Sequence, residues 1–213
     1  VVLTGFGKKA FVSGADVNFL AKIQSPAEGE KTSADSNDAV ARFQALSAKK
    51  PVGCALNGLA FGGGIELAMA CTTRIAKAGL SPLAGQPETN LGIIPGAGGT
   101  QRLPRLIGVE AAAALLRTGR PVSSADALKL GLISEEVEGD LLPRAIELAQ
   151  ALARGTASVK PMPTGPLSDV PATLPAIDIG HRSKAVDAIL CDVILAGART
   201  SLAEGLKLEA RAF

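Results

Sequence analysis

The sequence contains no tryptophan and no tyrosine, and six phenylalanines supply all of its aromatic side chains. Proteins that bind single-stranded nucleic acids stack bases on such side chains, so this chain offers few stacking platforms. Its charges nearly balance, because 22 lysines and arginines face 20 aspartates and glutamates and leave a net charge of +2. A charge this small attracts neither a nucleic acid nor an anionic membrane surface. We therefore expect neither as a partner.

Long apolar runs, paired cysteines and clustered histidines are also missing. No run approaches the roughly 18 uninterrupted apolar residues that argue for a membrane span. Cys54, Cys71 and Cys191 are odd in number and widely spaced, which is typical of reduced thiols in the cytoplasm, with the mitochondrial matrix as an alternative. Because His181 is the only histidine, metal sites built on several histidines are excluded, and we expect it to have a structural or surface role.

The chain is long enough for one sizeable domain, and its strand-like and helix-like segments alternate, which predicts an α/β fold. Polar residues 24–37 are predicted to form an exposed loop, and residues 85–100 a long loop shaped by glycines and prolines. Strands are predicted at residues 1–4, 52–58, 72–78 and 132–137, and helices at residues 38–48, 65–71, 123–131 and 141–153.

Composition changes after residue 154, where five prolines follow within about twenty residues. We divide the chain into a core at residues 1–154, a proline-rich arm at residues 155–175 and a C-terminal helical region at residues 176–213. Apolar residues recur at helical spacing in the last region, at positions 186, 189, 190, 193 and 194. Two helices have too little core of their own, so this region is expected to dock on the rest of the chain or on another subunit.

The stretch "NGLAFGGGIELAMA" places three glycines two residues before Glu66. Neither G-x-G-x-x-G nor G-x-x-x-x-G-K-[ST] is present, which disfavours a phosphate cradle. What remains is a helix N-terminus with uncovered N–H groups, and such groups stabilise a negative charge that develops during a reaction. Taken alone, Glu66 is more simply explained as a first-turn acid that complements the helix dipole.

Two further stretches have similar character. "FVSGADV" leaves the backbone N–H of Ala15 accessible after a small residue, and "GQPETNLGIIPGAGGTQR" carries Glu88 in a glycine-rich loop. Taken alone, the first is a turn and the second holds a solvated acid. Together with Glu66 and the glycine triplet, they supply two N–H donors for one carbonyl oxygen and two carboxylates for the proton of a water. That set suits an enolate reaction of a thioester and needs no metal, histidine or thiol.

In order and spacing, "AFVSGADV", "NGLAFGGGIELAMAC" and "GQPETNLGIIPGAGGTQRLPRLIG" resemble the enoyl-CoA hydratase (crotonase) family. "GRPVSSADALKLGLISEEV" is similar to the segment that follows in that family, and "SLAEGLKLEARAF" resembles it more loosely. The resemblance implies that the N–H groups of Ala15 and Gly63 form an oxyanion hole. It also implies that Glu66 and Glu88 hold and activate one water, which the N–H of Gly96 helps to orient.

The resemblance further implies a spiral of ββα repeats, with a C-terminal helical region that builds trimers, often paired into hexamers. Substrate contacts are expected from Ala15, Asp16, Val17, Asn18 and Gly63. The substrate is an acyl-CoA thioester, and no cofactor is expected beyond the coenzyme A that enters with it. Because family members carry further strands before the first residue and a tail after the last, we expect this chain to be truncated at both ends.

Three readings stay open at the level of sequence. The first is a hydratase that adds water across the 2,3 double bond of an enoyl-CoA, in fatty-acid oxidation or another pathway. The second is a double-bond isomerase, in which the acid at position 88 suffices, and the third is a non-catalytic CoA-ester-binding subunit. An acid at position 66 favours the hydratase, and the presence of both acids and both small donors disfavours the binding subunit.

Overall fold

A computed structural model describes residues 1–213 in full. The strands are β1 (Val2–Thr4), β2 (Ala10–Val12), β3 (Gly53–Leu56), β4 (Leu59–Phe61), β5 (Thr73–Lys77), β6 (Ala84–Gly85) and β7 (Glu135–Val137). The helices are α1 (Val17–Leu20), α2 (Pro26–Lys49), α3 (Gly63–Met69), α4 (Gly99–Ile107), α5 (Val109–Thr118), α6 (Ser124–Leu130), α7 (Leu141–Arg154), α8 (Lys184–Ala198) and α9 (Leu202–Ala212). A 3₁₀ helix spans Pro87–Leu91.

The strands form two parallel sheets, and successive strands along the chain belong in turn to one sheet and then to the other. One sheet has the order β1-β3-β5-β7 and the other has the order β2-β4-β6. The first three repeats of the chain therefore each contribute one strand to each sheet before the chain enters a helix, and β7 joins only the larger sheet. This arrangement confirms the predicted α/β fold and the expected ββα repeats.

The three-stranded sheet positions the sequence motifs. In this sheet β4 pairs in parallel with β2 on one side and with β6 on the other. The residues that directly follow these strands are the Ser-Gly-Ala turn, the glycine triplet and the Gln-Pro-Glu segment. Because the carboxyl ends of parallel strands meet at one edge of a sheet, three motifs far apart in sequence come together there.

The predicted exposed loop at residues 24–37 is wrong, because residues 26–37 form the first half of the 24-residue helix α2. Ser25 caps it, since its hydroxyl accepts a hydrogen bond from the N–H of Glu28. The buried face of this half carries Gly29, Ser33 and Asn37 at a spacing of four residues. These side chains are small or polar, so hydrophobic periodicity gives no signal for the helix.

The C-terminal helices pack on the rest of the chain. Leu190, Val193 and Ile194 of α8 belong to the same hydrophobic core as Cys54 of β3 and Ile65 of α3. No helix or strand lies between α7 and α8, but backbone hydrogen bonds hold the intervening segment to the last residue of α8 and to the first residue of α9. None of the helices combines the length and the apolarity needed to cross a bilayer.

Arg117 of α5 fixes both α8 and the segment before it. Its guanidinium makes a bidentate ion pair with Asp187 of α8, with N···O distances of 2.7 and 2.8 Å. A third hydrogen bond of 2.7 Å reaches the carbonyl of Pro175. Both charged side chains are mostly buried, so the pair is little screened by solvent and holds α8 in place.

Candidate functional site

A cavity of about 470 Å³ opens at the carboxyl edge of the three-stranded sheet. Residues directly after β2, β4 and β6 form its floor, and the inner face of α2 forms one wall. Apolar side chains make up about half of its lining, among them Val40, Leu91, Ile93 and Phe213. A mainly apolar cavity with a few convergent polar groups is the usual form of a small-molecule site.

Each glycine of the triplet meets a different demand. Gly62 has φ = +51°, a conformation that side-chain-bearing residues rarely adopt. A Cβ on Gly64 would lie 2.0 Å from the carbonyl oxygen of Val12, so only glycine fits between α3 and β2. A Cβ on Gly63 would meet no atom closer than 3.8 Å, because Gly63 borders the cavity.

Three backbone N–H groups of residues that line this cavity have no protein acceptor. They belong to Ala15, Gly63 and Gly96, the residues predicted to supply the amide donors. Gly63 is the first residue of α3, where an N–H has no partner within the helix. Ala15 and Gly63 are close neighbours, since a Cβ on Gly63 would lie 3.9 Å from the nitrogen of Ala15.

Glu66 is 2% exposed and projects from the first turn of α3 into the cavity. Its Oε1 accepts hydrogen bonds from the N–H groups of Ala97 at 3.0 Å and Gly99 at 2.7 Å. Burial raises the pKa of Glu66 well above its ordinary value, and the charges of Glu88 and Glu209 add to the rise. The two amide donors act in the opposite direction, because they favour the ionised carboxylate.

Glu88 lies on the 3₁₀ helix and reaches the same cavity from the other side of the triplet. Its Oε1 lies against Gly62, where an added Cβ would come within 2.6 Å, and its buried Oε2 has no hydrogen-bond partner. Burial raises the pKa of Glu88 to about 7, and the charge of Glu209 contributes to that rise. Glu88 is thus poised to gain or lose a proton near neutral pH.

A further acid, Glu209 of α9, is fully buried and was not predicted from the sequence. A signal was available, because Glu209 continues an otherwise apolar and small-residue face formed by Leu202, Gly205 and Leu206. An acid in the middle of such a stripe must have partners in the interior. Beside it, the fully buried Arg102 of α4 supplies a positive charge that favours the ionised forms of Glu209 and Glu66.

Of the other residues predicted to contact the substrate, one lines the cavity and two do not. Val17 lines the cavity, whereas the carboxylate of Asp16 caps α1 and accepts hydrogen bonds from the backbone and side-chain nitrogens of Asn18. The structure therefore places Asp16 and Asn18 at the surface beside the cavity and not among its lining residues. His181 is exposed and does not line the cavity, as predicted.

Known proteins resemble this chain in sequence and architecture. The enoyl-CoA hydratase/isomerase family profile matches residues 1–163. YngF of Bacillus subtilis, an enoyl-CoA hydratase/isomerase by name, is 45% identical over 164 residues, which are 75% of this chain and 60% of YngF. A short-chain-enoyl-CoA hydratase of Clostridium acetobutylicum is 43% identical over 153 residues, 71% of this chain and 57% of that protein.

Among solved structures, an enoyl-CoA hydratase from Bacillus anthracis superposes with a TM-score of 0.65 and 36% identity, covering 100% of this chain and 70% of that one. The chain spans about 60% of the length of the two curated relatives. Sequence, sheet topology and the convergence of the three motifs agree with one another. We conclude that this chain belongs to the enoyl-CoA hydratase/isomerase family.

Proposed function

We propose that the protein is an enoyl-CoA hydratase, which adds water across the 2,3 double bond of an acyl-CoA thioester and catalyses the reverse dehydration. The observation that carries this proposal is the meeting of two carboxylates, the buried Glu66 and the half-buried Glu88, with unpaired N–H groups in one cavity. An isomerase needs one acid for its proton shuttle. A second acid, held by two amides in the same cavity, is better explained by the handling of a water.

The amides of Ala15 and Gly63 would bind the thioester carbonyl oxygen. When a nucleophile attacks C3, the electrons of the double bond move toward this oxygen and produce an enolate. Two N–H groups already fixed in position stabilise that charge without having to reorganise. Removal of one such donor typically costs about 3–4 kcal/mol of transition-state stabilisation.

The two carboxyl groups would divide the proton transfers between them. Buried acids oppose each other's ionisation, so the pair shares a proton near neutral pH. In the reactive form we assign the charge to Glu66 and the proton to Glu88, because the two amide donors of Glu66 stabilise its ionised carboxylate. As the water oxygen bonds to C3, Glu66 takes a proton from that water and Glu88 delivers its proton to C2. The N–H of Gly96 would hold the water oxygen, and proton exchange with solvent then resets the pair.

Several features support related parts of the proposal. A named short-chain hydratase among the relatives favours short acyl groups, and the cavity supplies mainly apolar walls for them. All three cysteines are free thiols, which suits a reducing compartment. From the family resemblance we also infer a homotrimer or a dimer of trimers, with coenzyme A entering only as part of the substrate.

The test is a spectrophotometric assay of crotonyl-CoA and of longer and cyclic enoyl-CoAs, with Glu66→Gln and Glu88→Gln beside the unchanged protein. We expect each substitution to lower kcat by about 10² or more, because acid–base help is worth about 10² to 10⁴ in rate. Binding of a CoA ester, measured by calorimetry, should change little. Glu138→Gln, at an exposed site on another part of the surface, is the matched control.

Two results would contradict the assignment. Near-normal hydration by either variant would remove that glutamate from the reaction. Absence of hydration by the unchanged protein, together with 3-enoyl to 2-enoyl isomerisation that survives Glu66→Gln, would establish the isomerase.

A further inference from the structure

Four successive backbone amides, those of residues 97–100, are shared between two carboxylates. The first and third donate to Oε1 of Glu66, at 3.0 and 2.7 Å. The second and fourth donate to Glu209, at 2.7 Å to its Oε1 and 3.0 Å to its Oε2. The segment at the start of α4 is thus held from both sides, by an acid in the cavity and by an acid of the C-terminal helix.

Two further hydrogen bonds fix the carboxylate of Glu209. Its Oε2 also accepts from the hydroxyl of Thr100 at 2.6 Å, and its Oε1 accepts from the side-chain nitrogen of Asn37 at 3.0 Å. It does not line the cavity, so it cannot touch a substrate there. Four hydrogen bonds to one buried carboxylate determine where residues 97–100 lie, and residues 97 and 99 in turn hold Glu66.

We propose that Glu209 is a positioning residue for the hydration reaction, which holds the N-terminus of α4 from behind so that its amides fix Glu66 at the water. This inference rests on the proposed hydratase function and extends the working site to the C-terminal helix. Without Glu209, the amides of residues 98 and 100 lose their acceptor. Nothing on that side of the segment then holds the amides of residues 97 and 99 in their orientation toward Glu66.

The charge of Glu209 also acts on the pair in the cavity. The charged groups that face it are Glu66 from α3, Glu88 from the 3₁₀ helix and Arg102 from α4. Helix α2 presents the neutral Asn37. The acids of α8 are directed elsewhere, since Asp187 pairs with Arg117 and Asp192 is exposed. Removal of the negative charge at position 209 should therefore lower the pKa values of the two catalytic acids.

The principal experiment measures kcat, KM and the pH dependence of kcat/KM on crotonyl-CoA for Glu209→Gln. We expect kcat to fall at least tenfold, KM to stay within about threefold, and both limbs of the pH profile to move toward lower pH. Glu209→Asp keeps the charge but is one methylene too short, so it should lose kcat without moving the profile. Glu204→Gln, an exposed acid on the same helix paired with Lys207, should leave all three quantities unchanged.

A folding defect lowers the fraction of active enzyme and leaves the pH profile in place, so the shift of the profile in Glu209→Gln distinguishes the positioning role from a folding defect. If Glu209→Gln does not fold, Thr100→Val removes the hydroxyl that donates to the carboxylate and accepts from the side-chain nitrogen of Gln101, and Thr100→Ser restores it. We then expect kcat to fall in the valine variant and to recover in the serine variant.

The inference is overturned if a folded Glu209→Gln protein keeps the kcat and pH profile of the unchanged protein, or if Thr100→Val does so where it is needed. Failure of the proposed hydratase function would give a different result, because the unchanged protein would then not hydrate crotonyl-CoA at all. In that case exchange of the amide hydrogens of residues 97 and 99 decides the positioning role: faster exchange in Glu209→Gln supports it, and unchanged exchange rejects it.

Discussion

At the scale of single residues, two glycines of the triplet are expected to differ in role, one in activity and the other in stability. Gly63 borders open space, whereas Gly64 lies against the backbone of β2. The motif in the sequence predicted that this stretch belongs to the site, but it did not distinguish the three positions. That distinction depends on which neighbour approaches each Cα, and only the folded chain sets this.

We predict that Gly63→Ala folds normally and loses most of its hydration activity. The new methyl group would stand about 3.8–4.0 Å from Gly14, Ala15 and Glu66, in the space through which the carbonyl oxygen must reach its donors. Gly64→Ala should instead lower the free energy of unfolding by about 3 kcal/mol or more through overpacking. Urea unfolding followed by far-UV circular dichroism, together with the crotonyl-CoA assay, checks both. An active Gly63→Ala protein would argue against the amide at position 63 as a donor.

Glu88 provides a second prediction, on stability and pH. Its pKa in the folded protein is about 7, above that of an exposed glutamate, so the folded state binds more protons than the unfolded state between the two values. The raised pKa therefore costs no stability below the ordinary glutamate range, and the cost grows as pH rises toward 7 and is complete above it.

Glu88→Gln should raise the free energy of unfolding at pH 8 by about 1–3 kcal/mol and change it little at pH 4. Denaturant titrations at the two pH values measure the difference. Glu138→Gln, which alters an exposed acid, should show no such dependence. An equal effect of Glu88→Gln at both pH values would show that burial does not raise the pKa of Glu88.

At the scale of elements, sequence patterns predicted the strands of the larger sheet and most helices, but they gave no prediction for α4 and α5 and failed at the first half of α2. The capped helix α6 begins after Ser123, as its capping-box pattern predicts. The first half of α2 is stabilised by packing of small and polar side chains, such as the hydrogen bond of 2.8 Å from Ser33 to the carbonyl of Gly96. Such a contact joins residues distant in sequence, so no local pattern reveals it.

The attachment of α8 leads to a prediction for Asp187→Asn. The substitution leaves the guanidinium of Arg117 buried and without its charged partner, which should lower the free energy of unfolding by about 2–4 kcal/mol. Thermal unfolding by circular dichroism measures the loss. Asp35→Asn breaks the exposed ion pair with Lys31 and should have a much smaller effect. If both variants lose equally little, the Arg117 pair does not anchor α8.

At the scale of the whole molecule, composition indicates three regions, but packing joins them. Leu190 and Ile194 are completely buried in the core that also contains β3 and α3, and Glu209 reaches the segment that holds Glu66. The sequence located the cavity from three motifs. It did not identify the contact made by α9, because an acid within an apolar stripe indicates burial but does not show that Glu209 accepts from the backbone amides of residues 98 and 100.

We predict that a chain ending at Arg154 does not fold stably. Helix α4 would lose the cover of α8 and α9 over residues that are now fully buried, including Gln101 and Arg102, and polar groups without partners destabilise a core. Limited proteolysis and circular dichroism should show rapid cleavage and weak cooperativity compared with the 213-residue chain. Cooperative, protease-resistant folding of the shorter chain would mean that residues 1–154 are an independent domain.

The alternation of amides along residues 97–100 has a consequence for chain length. Odd-numbered members donate to Glu66 and even-numbered members donate to Glu209. A change of side chain leaves this parity intact, whereas one residue inserted or deleted within the segment would invert it and exchange the donors of the two acids. The count of residues between Gly96 and α4 is therefore as much a part of the site as the identity of any side chain in it.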